Sequence, residues 1–325
     1  MRFLPNYPFY VLREDEYPYA IEVLEGRLAD YRHEGFFDTF DGRKLYYEYF
    51  LAEGSKASIV LVHGLSEFTK KFYELVYYFL QEGYNVFLYD QRCHGRSDRL
   101  TDEPDLLHVD RFDDYVRDLE NFVETVVLPT EDKPLYIYAH SMGGAISALY
   151  MARHPQKVTR AVLSAPMFEP TVGNVPMWLA RASVRLSKWL CGSKAKFRLS
   201  REFNPDVSFR PGRDGCEVRF YHNMQLRQSD PSYQGTPMSN GWVLGSLTLR
   251  RRILSRAVAG KLAMPILLLS AERDTVVKND AHRAFAARCP SCRLVTVPNA
   301  SHGLLAADSA SLYEMLLQVM EFYRS

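Results

Sequence analysis

A serine with a small residue two positions away on each side is the first feature of this sequence that could do chemistry. It is Ser141 in Tyr138-Ala139-His140-Ser141-Met142-Gly143-Gly144, between a short apolar run at 135–140 (LYIYAH) and a helical pattern over 142–153. On a sharp strand-to-helix turn the backbones two before and two after the serine pass close together, and Ala139 and Gly143 meet that steric demand. Such a turn aims the hydroxyl out of the C-terminal edge of a sheet and sets the Met142 N–H beside it. A small polar residue in an ordinary tight turn would look similar, but the strand before, the helix after and the two small flanks favour a nucleophile.

A serine hydroxyl is a weak nucleophile at neutral pH and needs a base to take its proton and an acid to orient that base. On a turn of this kind the partners follow in chain order acid, then His, on loops after later strands. Asp274 lies in AERD, just past the run PILLLS, and His302 lies in PNASHG, just past RLVTV. Glu272, two residues upstream of Asp274 on the same loop, is the rival acid. His33, His108, His154, His222 and His282 lie on helices or in loops away from a strand end and read as surface or core residues. A second oxyanion donor is expected after an earlier strand: SIVLVH ends at His63, Gly64 permits a turn, and the Leu65 N–H can converge with that of Met142. The loop Asp90 to Ser97 is assigned no catalysis, and His94 within it has no partner at metal-ligand spacing.

The elements that must hold these residues follow a regular rhythm. FFDTF, Asp41-Gly42 and KLYYEYF read as a β-hairpin with a two-residue connection. Buried strands are expected at 58–63 and 85–90, with a helix over 71–82 stopped by Gly83, a helix over 111–127, and strands at 135–140 and 160–164. This alternation predicts an α/β fold, with a mostly parallel central sheet flanked by helices. The rhythm breaks at Pro166, gives way to helical patches at 176–190, 217–228 and 242–258, and returns after Pro265 with ILLLS, a helix over 279–288, RLVTV and a last helix over 309–323. The expected organisation is an N-terminal arm over 1–34, a core built from 35–165 and 260–325, and a mainly helical cap inserted at 166–259. The arm is read that way because residues 11–32 mix charged and apolar positions without a strong period and contain Pro18.

Of 325 residues, 40 are Lys or Arg and 39 Asp or Glu, a net charge of +1 that gives no support to nucleic-acid binding. The hydrophobic share, 47%, is that of a chain that folds. The five cysteines are scattered, and the single C-x-x-C, Cys289 and Cys292, lacks the second cluster of a zinc site, so thiols of a reducing compartment are expected. Met1 to Tyr10 has no apolar core of a secretory signal, and no apolar run is long enough to span a bilayer. A cytoplasmic protein is therefore expected, with no metal and no cofactor.

The pieces LVHGL, YDQRCHGRSDR, HVDRFDDYVRDLENF, YAHSMGGAI, LSAPMF, NGWVLGS, LLLSAERDTVV and NASHG together carry a family resemblance. From about Gly35 onward the chain resembles the α/β-hydrolases of the lysophospholipase and monoacylglycerol lipase group. AHSMGG, LSAPMF and HVDRFDDYV are more similar to the bacterial lysophospholipases. The resemblance implies an α/β-hydrolase fold and a serine hydrolase that cleaves lipid esters, lysophospholipid or monoacylglycerol, through an acyl-enzyme. It gives Ser141, Asp274 and His302 the catalytic roles and the N–H groups of Leu65 and Met142 the oxyanion. Cys93 departs from the pattern, where glycine is commoner.

The insertion resembles the family more loosely, and substrate choice is expected to reside there. Residues 181–213 carry nine cations against two acids, a net of +7. On a helix, Trp178, Leu179, Leu186, Trp189 and Leu190 share one face and Arg181, Arg185 and Lys188 another. Such a helix rests on an anionic membrane, steers anionic head groups, or packs its apolar face on the core with solvated charges. Two other functions fit the core motifs: an aminopeptidase-like amide hydrolase, which calls for an acidic cluster to hold a free amine, and a non-catalytic binding protein on the same scaffold.

Overall fold

In the computed structural model, which describes residues 1–3 and 10–325, the short apolar runs become one sheet. Its strands are β1 (His33–Asp38), β2 (Lys44–Phe50), β3 (Ser58–Val62), β4 (Asn85–Tyr89), β5 (Leu135–His140), β6 (Arg160–Ser164), β7 (Ile266–Ala271) and β8 (Cys292–Val297). They lie in the order β1-β2-β4-β3-β5-β6-β7-β8. The hairpin β1–β2 joins β4 antiparallel, and every pairing from β4 to β8 is parallel. The continuous apolar runs of β3 and β4 are buried along their whole length, as strands covered on both faces must be.

The helices, in chain order, are α1 (Tyr17–Ala29), α2 (Tyr73–Gln81), α3 (Phe112–Phe122), α4 (Leu128–Thr130), α5 (Met142–Arg153), α6 (Met177–Cys191), α7 (Glu217–Ser229), α8 (Asn240–Ser246), α9 (Leu249–Ile253), α10 (Asn279–Ala286) and α11 (Ser309–Arg324). Strand side chains alternate between two cores. Ile59 and Leu61 pack with α1, α2 and α11, whereas Val60 and Val62 pack with α3, α5 and α10. Because β3, β5, β7 and β8 are parallel, their C-terminal ends, and the loops after them, gather on one edge.

Several local expectations are corrected. The segment read as an arm without a strong period holds α1: Pro18 sits in its first turn, where a missing N–H costs nothing, and Tyr17, Ile21, Leu24 and Leu28 form a buried stripe at helical spacing. The hairpin connection is longer than two residues. The Thr39 N–H donates to Arg43 O at 2.8 Å, the Arg43 N–H donates back to Thr39 Oγ1 at 3.0 Å, and Phe40, Asp41 and Gly42 form the loop between them. The patch expected as one helix over 242–258 is two short ones, α8 and α9.

Between β6 and β7 the chain forms α6 to α9 and no strand. Val184 is the buried residue of α6. Its apolar face is not packed on the core: Trp178 is 70% exposed, Trp189 80% and Leu190 65%. Arg181, expected among the solvated charges, turns inward and donates from Nε and Nη2 to Leu247 O at 2.9 and 2.7 Å. Periodicity fixes which residues share a face, but not which face the fold covers. Among the described residues no helix is long and apolar enough to cross a membrane.

Candidate active site

Ser141 caps the N-terminus of α5 with φ 50° and ψ −114°, a left-handed backbone that a non-glycine residue adopts at a cost of about 1–3 kcal/mol. Its neighbours leave little alternative. The Ser141 N–H donates to Ser164 O at 3.0 Å, and its carbonyl accepts from the Met167 N–H at 2.7 Å, so the turn is tied to the end of β6. A Cβ on Gly143 would stand 2.1 Å from Val62 O, and one on Gly144 2.6 Å from Pro166 Cβ. The glycines therefore let α5 start directly against β3, and the serine side chain is pushed out at the sheet edge.

Three sequence-predicted residues meet there. The Ser141 hydroxyl donates to His302 Nε2 at 2.8 Å, and His302 Nδ1–H donates to Asp274 Oδ2 at 2.7 Å. The other carboxylate oxygen of Asp274 accepts the N–H groups of Val276 and Val277 at 2.8 and 2.9 Å. Burial alone would raise the Asp274 carboxyl. The hydrogen bonds from His302, Val277 and Val276 outweigh it and hold the group below the ordinary aspartate value. Glu272 is directed elsewhere, accepting the Asn299 N–H at 2.7 Å.

The loop after β3 presses on the same serine, since a Cβ on Gly64 would lie 3.0 Å from Ser141 Cβ. As the first residue of α5, Met142 has an N–H with no intrahelical acceptor, and the Leu65 N–H has none among the described residues. His63 braces this loop as a neutral ring: Nδ1–H donates to Gly64 O at 2.7 Å and Nε2 accepts the Gln91 N–H at 3.0 Å, while burial pulls its pKa down to about 4.

Sequence reasoning missed Glu67. Its Oε2 accepts the Gly64 N–H at 2.5 Å and its Oε1 accepts Lys71 Nζ at 2.6 Å, with His140 Nε2 at 3.8 Å. Burial opposes its charge, but the Lys71 ammonium and the other partners prevail and lower its pKa to about 2. The available signal was the i,i+4 pair of Glu67 and Lys71 just after His63-Gly64. The Asp90 loop is structural: Asp90 accepts the N–H groups of Thr69 and Arg96 at 2.7 and 2.8 Å. Cys93 within it has φ 63°, which is why glycine suits that position. Among the described residues no group of three His, Cys, Asp or Glu could hold a metal.

A cavity of about 680 Å³ opens onto Ser141 and His302. Its greater part is apolar, with Met167, Val172, Val184, Phe197, Met238, Trp242 and Leu247 contributing walls, while Ser66, Glu67, Lys71, Asn223 and Arg227 form a polar end.

A serine hydroxyl in series with an imidazole and a carboxylate, beside two free N–H groups at the edge of a mostly parallel sheet, belongs to the α/β-hydrolase class. The comparison with known proteins narrows this. The family model described as serine aminopeptidase, S33, matches residues 53–309, and the chain belongs to that hydrolase family. Lysophospholipase L2 of Escherichia coli (strain K12) is 32% identical over 319 residues, covering 92% of this chain and 90% of that protein. Monoglyceride lipase of Saccharomyces cerevisiae is 23% identical, covering 94% and 95%. A soluble variant of that yeast lipase, solved with a substrate analogue, superposes with a TM-score of 0.70 at 18% identity, covering 90% of this chain and 94% of the other. A thermostable carboxyl esterase from Bacillus coagulans, solved with glycerol, gives 0.72 at 15%, covering 90% and 98%.

The depressed carboxyl of Glu67 makes a pH prediction. A carboxylate whose folded pKa lies below its unfolded value stabilises the fold above the unfolded value, near 4.5, and that contribution fades as pH falls toward about 2. In urea denaturation, wild type should therefore exceed Glu67→Gln at pH 6, and the gap should narrow as the pH is lowered to 3 without closing there. A gap independent of pH would show that Glu67 is not ionised in the folded protein.

Proposed function

We propose that the protein hydrolyses carboxylic esters of monoacyl lipids, lysophospholipids or monoacylglycerols, through an acyl-enzyme on Ser141. The observation that carries this reading is the Ser141–His302–Asp274 series opening into a largely apolar cavity with one polar end. Ser141 Oγ attacks the ester carbonyl as its proton passes to His302 Nε2, and the carbonyl oxygen becomes an oxyanion held by the N–H groups of Leu65 and Met142. Collapse of the tetrahedral intermediate breaks the C–O bond, and His302 returns the proton to the leaving alkoxide. Water then attacks the acyl-enzyme with His302 as base, releasing the fatty acid and restoring the serine. Asp274 keeps the proton on Nδ1, so that Nε2 is free to accept.

Residues 166–259 serve as the cap over this cavity. The family's description names an aminopeptidase, but the cavity favours an ester. A free amine calls for an uncommitted carboxylate, and Glu67, the acid among the described lining residues, is bound to Gly64 and Lys71. The names of the two relatives above also favour lipid esters. For a binding protein without activity, the unbroken hydrogen-bond series would be idle.

The exposed apolar face of α6, flanked by Arg185 and Lys188, supports contact with an anionic membrane surface. On this reading the protein works in the cytoplasm against the inner face of a membrane. The five free cysteines suit such a reducing compartment.

Ser141→Ala should keep the fold and lower kcat for ester hydrolysis by roughly 10⁴ to 10⁶. Asp274→Asn should cost about 10⁴ by favouring the wrong tautomer, as the same change does to the triad aspartate of a serine protease. Glu272→Gln should cost less than about threefold, below the tenfold that ~1.4 kcal/mol produces. Retention of a tenth of the activity by the serine variant, or the reverse order of the two acids, would overturn the assignment.

The membrane reading is checked by sedimentation with phosphatidylglycerol-containing vesicles. Replacing Trp178, Trp189 and Leu190 together by Ser should weaken binding at least tenfold, because apolar area at about 25 cal/mol per Å² no longer leaves water. Turnover of a soluble short-chain ester should stay within about threefold, a margin again below the tenfold of ~1.4 kcal/mol. Unchanged binding would remove α6 from the membrane contact.

A further inference from the structure

Arg227 lies on α7 four residues after Asn223, so the two side chains share a helical face, and both line the cavity that holds Ser141. Its Nε donates to Tyr233 O at 3.1 Å, and its Nη2 donates to Thr236 Oγ1 at 2.6 Å and, at longer range, to Gln234 O and Gly235 O at 3.3 and 3.4 Å. All four acceptors are neutral. Among the described residues Arg227 has no carboxylate partner, and its Nη1 has no acceptor. The ring of Phe203, 4.4 Å from the guanidinium carbon, closes another side.

Arg227 is half-buried, and a guanidinium drawn partly out of water with only neutral partners is left short of the counter-charge that structures generally give such a group. Burial pulls the Arg227 pKa down to about 10, with only the field of Glu67 opposing it. Glu67 cannot serve as the missing partner, because its two oxygens are held by Gly64 and Lys71. The polar end of the cavity therefore presents two cations, Lys71 and Arg227, against one carboxylate. Asn223 adds a second unmet demand: its Oδ1 is buried without a hydrogen-bond donor. Phosphate is among the anions a guanidinium binds well, and with Nε and Nη2 engaged the free Nη1 is the donor left for one of its oxygens.

Building on the ester-hydrolase reading above, we propose that Arg227 is a specificity-determining residue that receives the phosphate of a lysophospholipid head group. The site then prefers phosphate-bearing monoacyl lipids to neutral monoacylglycerols. A neutral diol head leaves the positive charge uncompensated, whereas a phosphodiester cancels it.

Binding of two non-hydrolysable ether lipids tests this without requiring turnover. One is an alkyl lysophospholipid with a phosphoglycerol head, the other an alkyl glycerol with the same chain, both measured by calorimetry below their micelle concentrations. Wild type should bind the phosphate-bearing lipid at least tenfold more tightly, about 1.4 kcal/mol. In Arg227→Gln that preference should vanish, and Arg227→Lys should restore part of it. Equal wild-type affinity for the two lipids would overturn the proposal even if Arg227→Gln did not fold, and so would a preference that survives in a folded Arg227→Gln. A wild type that shows the preference but cleaves no ester would refute the hydrolase reading instead, which keeps the two failures apart.

Discussion

The backbone of Ser141 is held in a left-handed conformation by the close approach of α5 to β3, and the rest of the site is arranged around that contact. With Gly143 against Val62 O there is no room for a side chain at that position, so the helix begins where the strand ends and the hydroxyl projects from the sheet edge. The same turn leaves the Met142 N–H at the start of a helix without an acceptor, where the partial positive charge of the helix terminus adds to it. Parallel pairing of β3, β5, β7 and β8 then brings three other loops to the same edge. The strain at one residue is thus sustained by the packing of a whole layer, and it sets a projecting hydroxyl and an N–H without an intrahelical acceptor on consecutive residues.

Electrostatics around the turn is divided between rigid and unsatisfied groups. His63, Asp90 and Glu67 have their polar atoms tied to backbone N–H or C=O groups or to neighbouring side chains and fix the loops after β3 and β4. Asp274 is similarly locked, with each oxygen engaged, so the imidazole it orients has one orientation available. Arg227 and Asn223, both lining residues of the cavity, contrast with these in leaving part of their bonding capacity unused. A site built of fully bonded positioning groups beside incompletely bonded cavity groups separates the chemistry from the recognition of what is cleaved.

Much of this was legible in the sequence, for identifiable reasons. Strands covered on both faces need continuous apolar runs, so β3 to β7 stood out, and Ser141, Asp274 and His302 could be placed by their distance past such runs. The same placement put the loop of Leu65 and the Met142 start of α5 at that edge. What escaped was whatever depends on the other partner in a contact. The stripe Tyr17, Ile21, Leu24 and Leu28 was hidden by intervening charges and by Pro18, whose position in a first turn is harmless. The amphipathic pattern of α6 was visible, but its outward apolar face was not. Glu67 and Arg227 owe their roles to partners that only the folded chain assembles, Gly64 and Lys71 for one and the cavity for the other.

If the Ser141–His302–Asp274 series works as its geometry implies, Ser141 becomes acylated during turnover. Intact-mass measurement on acid-quenched mixtures of enzyme and a monoacyl ester, followed by peptide mapping, reads this directly. The protein should gain the mass of one acyl group less one proton, located on the peptide that contains Ser141, within the first turnover. Substrate consumed at full rate with no adduct at any quench time, or with the acyl group on another residue, would contradict it.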